Sequence, residues 1–165
     1  NGWLSNTRGF DTILDATNLI PHSKKVKFLF AGSGNVKEIE RIQSTEGCKF
    51  LGRLTSEESL ALYYEVDCVV SLFDPCIEIH QRAEPNKWYD CIFTDTPIII
   101  NHEIRASFSF VKNFNFKTIP FKDSKALAKE ISNLKKRKLS SNKKVHLQGF
   151  QYWDTKLEGI LKHVL

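Results

Sequence analysis

The sequence predicts an α/β fold of the doubly wound type, a parallel sheet followed by a helical C-terminal tail. Two observations carry that prediction. Short apolar runs rich in β-branched and aromatic residues alternate with amphipathic stretches long enough to form a helical crossover. The runs are also near-continuously apolar, the pattern of strands covered by helices on both faces.

In chain order, Gly2-Trp3-Leu4 reads as the end of a first strand, and residues 9–19 as the first helix. Residues 26–31 (VKFLFA) form the next strand, followed by a helix over 36–44. Residues 48–51 (CKFL) are a short strand, and Thr55 or Ser56 can cap a helix over 57–65 by accepting from its free first-turn amides. Residues 68–73 (CVVSLF) read as a buried strand. A long connection then runs from Asp74-Pro75 to Pro85, which can open a helix over 86–95 because it has no amide to leave unpaired. Residues 97–101 (PIIIN) and, with a weaker pattern, 116–120 are the last strands. Beyond Pro120 the pattern changes: Asp123 can cap a helix through Leu134, with Ala126, Leu127, Ile131 and Leu134 at helical spacing. Residues 145–165 read as one or two further helices. The resulting picture is a Rossmann-like half ending in a helical tail, with residues 1–165 as one domain.

The composition, 41% hydrophobic and 26% charged, excludes a disordered or fibrous chain. Apolar stretches such as Ile98-Ile99-Ile100 fall far short of the roughly 20 residues of a membrane span. No Met occurs, so the chain is expected to be a piece of something longer. The net charge is +5, yet residues 134–144 hold six basic residues and no acid, and without them the balance is −1. The basic character thus belongs to one stretch and not to a general nucleic-acid-binding surface. That stretch reads first as a solvated helix end and loop, and second as a contact with an anionic membrane surface. The expected location is cytoplasmic, with peripheral contact at the inner face of the membrane as the second reading. Cys48, Cys68, Cys76 and Cys91 lack C-x-x-C spacing and are expected as reduced, largely buried thiols. The five histidines show no ligand spacing, so no protein-bound metal is expected.

Ligands of open parallel sheets bind beyond the carboxyl ends of the strands, which directs attention to the loops there. Gly32-Ser33-Gly34-Asn35 allows close backbone approach, and the helix after it presents amides to an anion; a plain tight turn is the competing reading. Gly52 and Arg53 follow the next strand. Pro85-Asn86-Lys87 makes a plausible phosphate cradle with its own cation, and Asp90 lies one turn on, where a carboxylate can accept from ribose hydroxyls or simply face the helix dipole. Arg8, before Gly9 at a helix start, can clamp a diphosphate.

Taken together, the collinear order of these motifs resembles the C-terminal, nucleotide-sugar-binding domain of the GT-B glycosyltransferases, in particular glycosyltransferase family 4. The residues that carry the resemblance are Gly2-Trp3-Leu4, Arg8-Gly9-Phe10-Asp11, Phe28 to Gly34, Lys49 to Leu54, Tyr63, Asp67 to Leu72, Ala83 to Asp90, Thr96 to Ile100 and Trp153. The resemblance implies that Arg8 binds the donor diphosphate and that Gly32 and Gly34 form the turn near the nucleotide. It implies that Phe50, Gly52 and Arg53 flank the nucleobase, that Asn86 and Lys87 face the diphosphate, and that Asp90 binds ribose. Arg82 stands where many members have a glutamate that contacts the donor sugar, and Trp3 where many have a second phosphate-binding arginine. Asp90 is also shorter than the usual glutamate. These departures fall on the donor-sugar contacts more than on the nucleotide contacts.

The implied function is the donor half of a retaining glycosyltransferase, with Arg8 and Lys87 stabilising the leaving diphosphate. A nucleoside diphosphate sugar would be the donor, a glycan or lipid-linked molecule the acceptor, and no cofactor or divalent metal is implied. The acceptor-binding N-terminal domain lies outside this sequence, so the fragment alone is expected to be inactive. Two alternatives stay open: a nucleotide-sugar epimerase of the same two-domain fold, and a non-catalytic Rossmann-like binding module.

Overall fold

The computed structural model describes residues 2–114 and 116–136. The helical reading of residues 145–165, Trp153, and the part of the basic stretch beyond Lys136 lie outside them.

The described residues form a mixed α/β structure with parallel strand pairing throughout. Strand β1 (Gly2–Trp3) leads through a 3-10 turn at Asn6–Arg8 into α1 (Phe10–Leu19). Gly9 joins turn and helix with φ 71°, and a Cβ there would meet the Leu72 Cβ at 2.6 Å, so only glycine fits both the angle and the space. Then come β2 (Phe28–Phe30), β3 (Gly32–Ser33), α2 (Val36–Ser44) and β4 (Cys48–Phe50). A capping box of Asn35 with Glu38 starts α2, and one of Thr55 with Glu58 starts α3 (Ser56–Glu65). The order continues with β5 (Val69–Ser71), the short α4 (Glu78–Gln81), α5 (Asn86–Thr94), β6 (Ile98–Asn101), α6 (Ser107–Asn113), β7 (Phe116–Ile119) and α7 (Ser124–Ser132).

Strands are shorter than the apolar runs suggest. The ladder between β2 and β4 starts only where the Phe28 amide reaches the Gly47 carbonyl at 2.8 Å, leaving Val26 and Lys27 outside it. Helix α7 ends at Ser132 although Leu134 still packs on the core, because the periodic apolar face outlasts the backbone ladder. Both α4, inside the long connection, and α6 were absent from the sequence reading. Neither shows a strong start signal: Ile77 and Ala106, which precede them, make no side-chain cap bond.

The doubly wound sheet expected as one body is hydrogen-bonded as three pieces: β1 with β3, β2 with β4, and β5-β6-β7. In the last piece helices cover both faces. Successive side chains of β6 alternate, so Ile98 and Ile100 pack with Tyr63, Trp88 and Phe110 while Ile99 packs with Ala16, Leu127 and Ile131. The first set comes from α3, α5 and α6; the second comes from α1 and α7. Of the four cysteines expected to be largely buried, Cys91 alone is fully enclosed, Cys48 and Cys68 are half-buried, and Cys76 is exposed in the loop after β5. Burial pushes the Cys68 thiol up to about 12, which leaves it inert at neutral pH. No helix among the described residues is long and apolar enough to cross a membrane.

Asn101 closes the carboxyl end of this sheet. Its side chain is fully buried; its Oδ1 accepts from the Phe73 amide at 2.9 Å, and its Nδ2 donates to the Phe73 carbonyl at 3.1 Å and to Glu103 Oε2 at 3.0 Å. The side chain thus takes the place of a ladder partner just beyond β5. Burial alone would raise the Glu103 carboxyl, but bonds from Asn101 and from the Phe121 amide outweigh it and hold the group below its ordinary range. Replacing Asn101 by Leu, similar in size, leaves the Phe73 amide and carbonyl buried without partners. The expected loss is about 2–4 kcal/mol of unfolding free energy by urea titration; a loss under about 0.5 kcal/mol would contradict this role.

Candidate functional site

The carboxyl ends of β1, β3 and β5 and the first turn of α5 meet in one place. Trp88 fixes α5 there. Its indole is fully buried, its Nε1 donates to Ser71 Oγ on β5 at 3.1 Å, and its ring meets Phe110 and Phe116 edge-on at 4.9 and 6.0 Å. With Trp88 turned inward, Lys87 and Asp90 sit on the side of α5 nearest Arg8 and β1. The Lys87 ammonium is 3.8 Å from where a Cβ on Gly2 would stand.

Three of the expected residues come together electrostatically. Burial, then the nearby Arg8 charge, pushes the Lys87 ammonium down to about 8 from its ordinary 10.5, partly offset by Cys91 and Asp90. The side chain as a whole is only half-buried, but its charged end is enclosed by protein. Burial likewise lowers Arg8, and it raises the Asp90 carboxyl while Lys87 pulls that carboxyl back. Two cations therefore crowd each other beside the positive end of a helix, with the Asp90 carboxylate nearby. Helix α5 has neither a side-chain cap nor an acid in its first turn, and Asn86 stands exposed at its start. An anion placed here relieves the mutual repulsion and complements the helix dipole at once.

Sequence reading missed what supports Arg8. Its guanidinium lies 4.2 Å from the centre of the Phe73 ring, a cation–π contact at the end of β5. His80, isolated in the sequence, is buried edge-on against the same ring at 5.1 Å. Its Nδ1 lies 3.1 Å from the Asp74 carbonyl, which can only accept, so Nδ1 carries the proton. The Asp74 amide in turn donates to Thr7 O at 2.9 Å, tying the loop after β5 to the turn that carries Arg8. No spacing rule links residues 8, 73 and 80; the only signal was the position of Phe73 and Asp74 where an apolar run ends.

The glycine loop contributes differently from expectation. Gly32 has φ 125°, and a Cβ there would fall 1.8 Å from the Gly2 carbonyl oxygen, so it permits β1 and β3 to approach beside Lys87. At Gly34 a Cβ would lie 2.9 Å from Leu4 Cβ and 3.0 Å from Glu38 Oε2, which makes its smallness a packing requirement. Two of the amides at the start of α2 are taken within the chain: the Asn35 side chain takes the Glu38 amide at 2.9 Å and the Glu38 carboxylate takes the Asn35 amide at 3.0 Å. That carboxylate already occupies the helix start and repels another anion.

Arg53 and Gly52 lie along the same rim, Arg53 Nε donating to Ser33 Oγ at 2.7 Å and the Gly52 carbonyl accepting from the Gly32 amide at 2.7 Å. Phe50 is half-buried against the cluster of Phe10, Phe30 and Ile42, a packing position. Arg82 points to Glu78 at 3.3 Å on an exposed face, and Trp3 is 63% exposed. Among the described residues no group of three or more His, Cys, Asp or Glu is placed to hold a metal ion.

The lowered Lys87 sets a pH signature. Between about 8 and 10.5 the unfolded chain holds a proton that the folded chain has released, so raising the pH through that window stabilises the fold. Lys87→Met removes the enclosed charge. It is expected to be more stable than the parent at pH 7, by on the order of 1–3 kcal/mol, and to lack the rise between pH 8 and 10.5. Parallel melting-temperature profiles of the two chains would contradict an enclosed ammonium.

No family model, no curated protein and no solved structure matches this chain.

Proposed function

We propose that this chain is the donor-binding half of a retaining glycosyltransferase, built on a Rossmann-like, doubly wound α/β layer. The observation that carries the reading is the pair of crowded cations, Arg8 and Lys87, at the open start of α5 with Asp90 one turn further along. A nucleoside diphosphate sugar matches that arrangement. Its diphosphate meets the two cations and the α5 amides, and its ribose lies toward Asp90, whose carboxylate accepts from two vicinal hydroxyls. The rim of Gly32, Ser33, Gly52 and Arg53 then borders the base.

In glycosyl transfer the bond from the anomeric carbon to the diphosphate breaks, and negative charge grows on the departing oxygen. Cations held in a partly enclosed site stabilise that charge more than they do in water. Arg8, braced on Phe73, and Lys87, held by the seating of Trp88, need little rearrangement to do so. The acceptor would come from a further domain, so this chain supplies donor binding and leaving-group stabilisation alone. Cytoplasmic placement, with contact at a membrane surface through the basic stretch, belongs to the same proposal.

Calorimetry with UDP, GDP, ADP, CMP and inorganic pyrophosphate tests it. One nucleoside diphosphate is expected to bind more tightly than pyrophosphate. Arg8→Ala and Lys87→Met should each weaken that binding by about 1–3 kcal/mol. Asp90→Ala should weaken the nucleoside diphosphate more than pyrophosphate. Affinity should also fall as the pH rises above about 8, where the free chain loses the Lys87 proton that an anion requires. Pyrophosphate binding as tightly as every nucleotide would reduce the site to a simple anion pocket, and binding unchanged in both cation variants would overturn the assignment.

A further inference from the structure

A cavity of about 600 Å³ lies between β2 and β5, a volume in the range of small-molecule sites. Residues 26–31 form one wall and 67–70 the other, with Ile13, Tyr63 and Ile131 contributed by the flanking helices. Apart from Lys27 and Asp67 these residues are apolar, so a matching occupant is apolar over most of its length.

Charge gathers at one end. Lys24 and Lys25 precede β2, Glu65 and Asp67 precede β5, and Lys135 and Lys136 follow α7; all six line the cavity. With Lys27 that makes five lysines against two acids, an excess of positive charge at the amino-terminal end of the strands. Arg8, Lys87 and Asp90 stand at the opposite, carboxyl end, and none of them lines the cavity.

Main-chain groups supply the third feature. In a parallel ladder a residue turns its amide and carbonyl to one side, and the next residue turns its own to the other. The Phe28 amide donates to Gly47 O at 2.8 Å and Phe30 O accepts from the Leu51 amide at 2.8 Å, so residues 28 and 30 face β4 and Leu29 faces the cavity. The Val69 amide donates to Pro97 O at 2.9 Å, so Val69 faces β6 and Val70 turns its own groups to the cavity from the other side. By this alternation the main-chain groups of Leu29 and Val70 have no partner among the described residues. A pure hydrocarbon would cover them without satisfying them, at the cost of buried unpaired donors and acceptors.

We propose that the cavity binds a small acyl amide with an anionic head: a medium-length hydrocarbon chain joined through one secondary amide to a carboxylate, the chemistry of an N-acyl amino acid. The amide N–H and C=O pair with the free main-chain groups of Leu29 and Val70. The hydrocarbon lies against Ile13, Tyr63 and Ile131, and the carboxylate turns to Lys27, with Lys24 and Lys135 around it. Each part of the ligand answers a separate feature of the cavity. The inference stands apart from the nucleotide reading and survives its failure.

Calorimetry on the full chain with N-octanoylglycine tests it, and one saturable site is expected. N-octanoylsarcosine carries a methyl group in place of the amide proton, and the methyl ester of N-octanoylglycine lacks the charge. Each should bind about tenfold more weakly than the parent acid. On saturation, NMR amide shifts should move at Leu29 and Val70 and stay fixed at Arg8 and Lys87. Lys24→Glu combined with Lys135→Glu, both on exposed side chains, should weaken the acid about fivefold or more and leave the ester unchanged, a split that loss of folding would not produce. No saturable binding, equal affinity for all three compounds, or shifts confined to other residues would overturn the proposal. Acetyl-Val-Ile-Val-Gly binding more tightly than N-octanoylglycine would overturn it in favour of an extended peptide.

Discussion

The seating of Trp88 is the contact on which the rest of this structure depends. A fully buried indole between Phe110, Phe116 and the Ser71 hydroxyl leaves α5 no freedom to roll. Because α5 cannot roll, the residue before Trp88 and the residue two places after it have fixed directions, and both lie toward the carboxyl ends of the strands. The same layer includes Phe73, clamped by Asn101 and serving as the surface on which Arg8 rests. Apolar packing thus brings together charged groups that would otherwise separate.

That assembly has an energetic consequence. Burial of the Lys87 ammonium, and then its closeness to Arg8, raises the free energy of the folded chain, and the lowered Lys87 reports it. Local features that oppose folding tend to persist where a ligand relieves them. The contrast with α2 is instructive. There an acid in the first turn and a capping asparagine satisfy two of the amides at the helix start and place a negative charge beside it.

Close backbone approach is the second constraint. β1 can lie beside β3 only because Gly32 offers no Cβ to the Gly2 carbonyl, and this approach brings the chain's opening residues to the Lys87 ammonium. The sheet is divided into three hydrogen-bonded pieces, and a cavity is lined by residues of both β2 and β5. Helices still cover both faces of β5-β6-β7, so the layering stays intact where the ladder is interrupted.

Much of this architecture was legible in the residues themselves. Apolar runs bounded by Gly, Pro and Asp located β2, β4, β5, β6 and β7 to within two or three residues, and the Thr55 and Asp123 signals placed two helix starts, because caps and periodicity are local properties; the Asn35 cap of α2 was not read from the sequence. Lys87 and Asp90 could be placed on one face from helical pitch alone. Tertiary structure alone decided that Arg8 joins them over Phe73, that His80 supports that ring, that Gly34 serves packing, and that Cys76 is exposed. It also decided that Lys87 is enclosed and that the sheet stands in three pieces. These depend on which elements meet across dozens of residues, and on how many neighbours each strand edge finds; a sequence records the side chains offered at a contact and leaves the contact itself to packing.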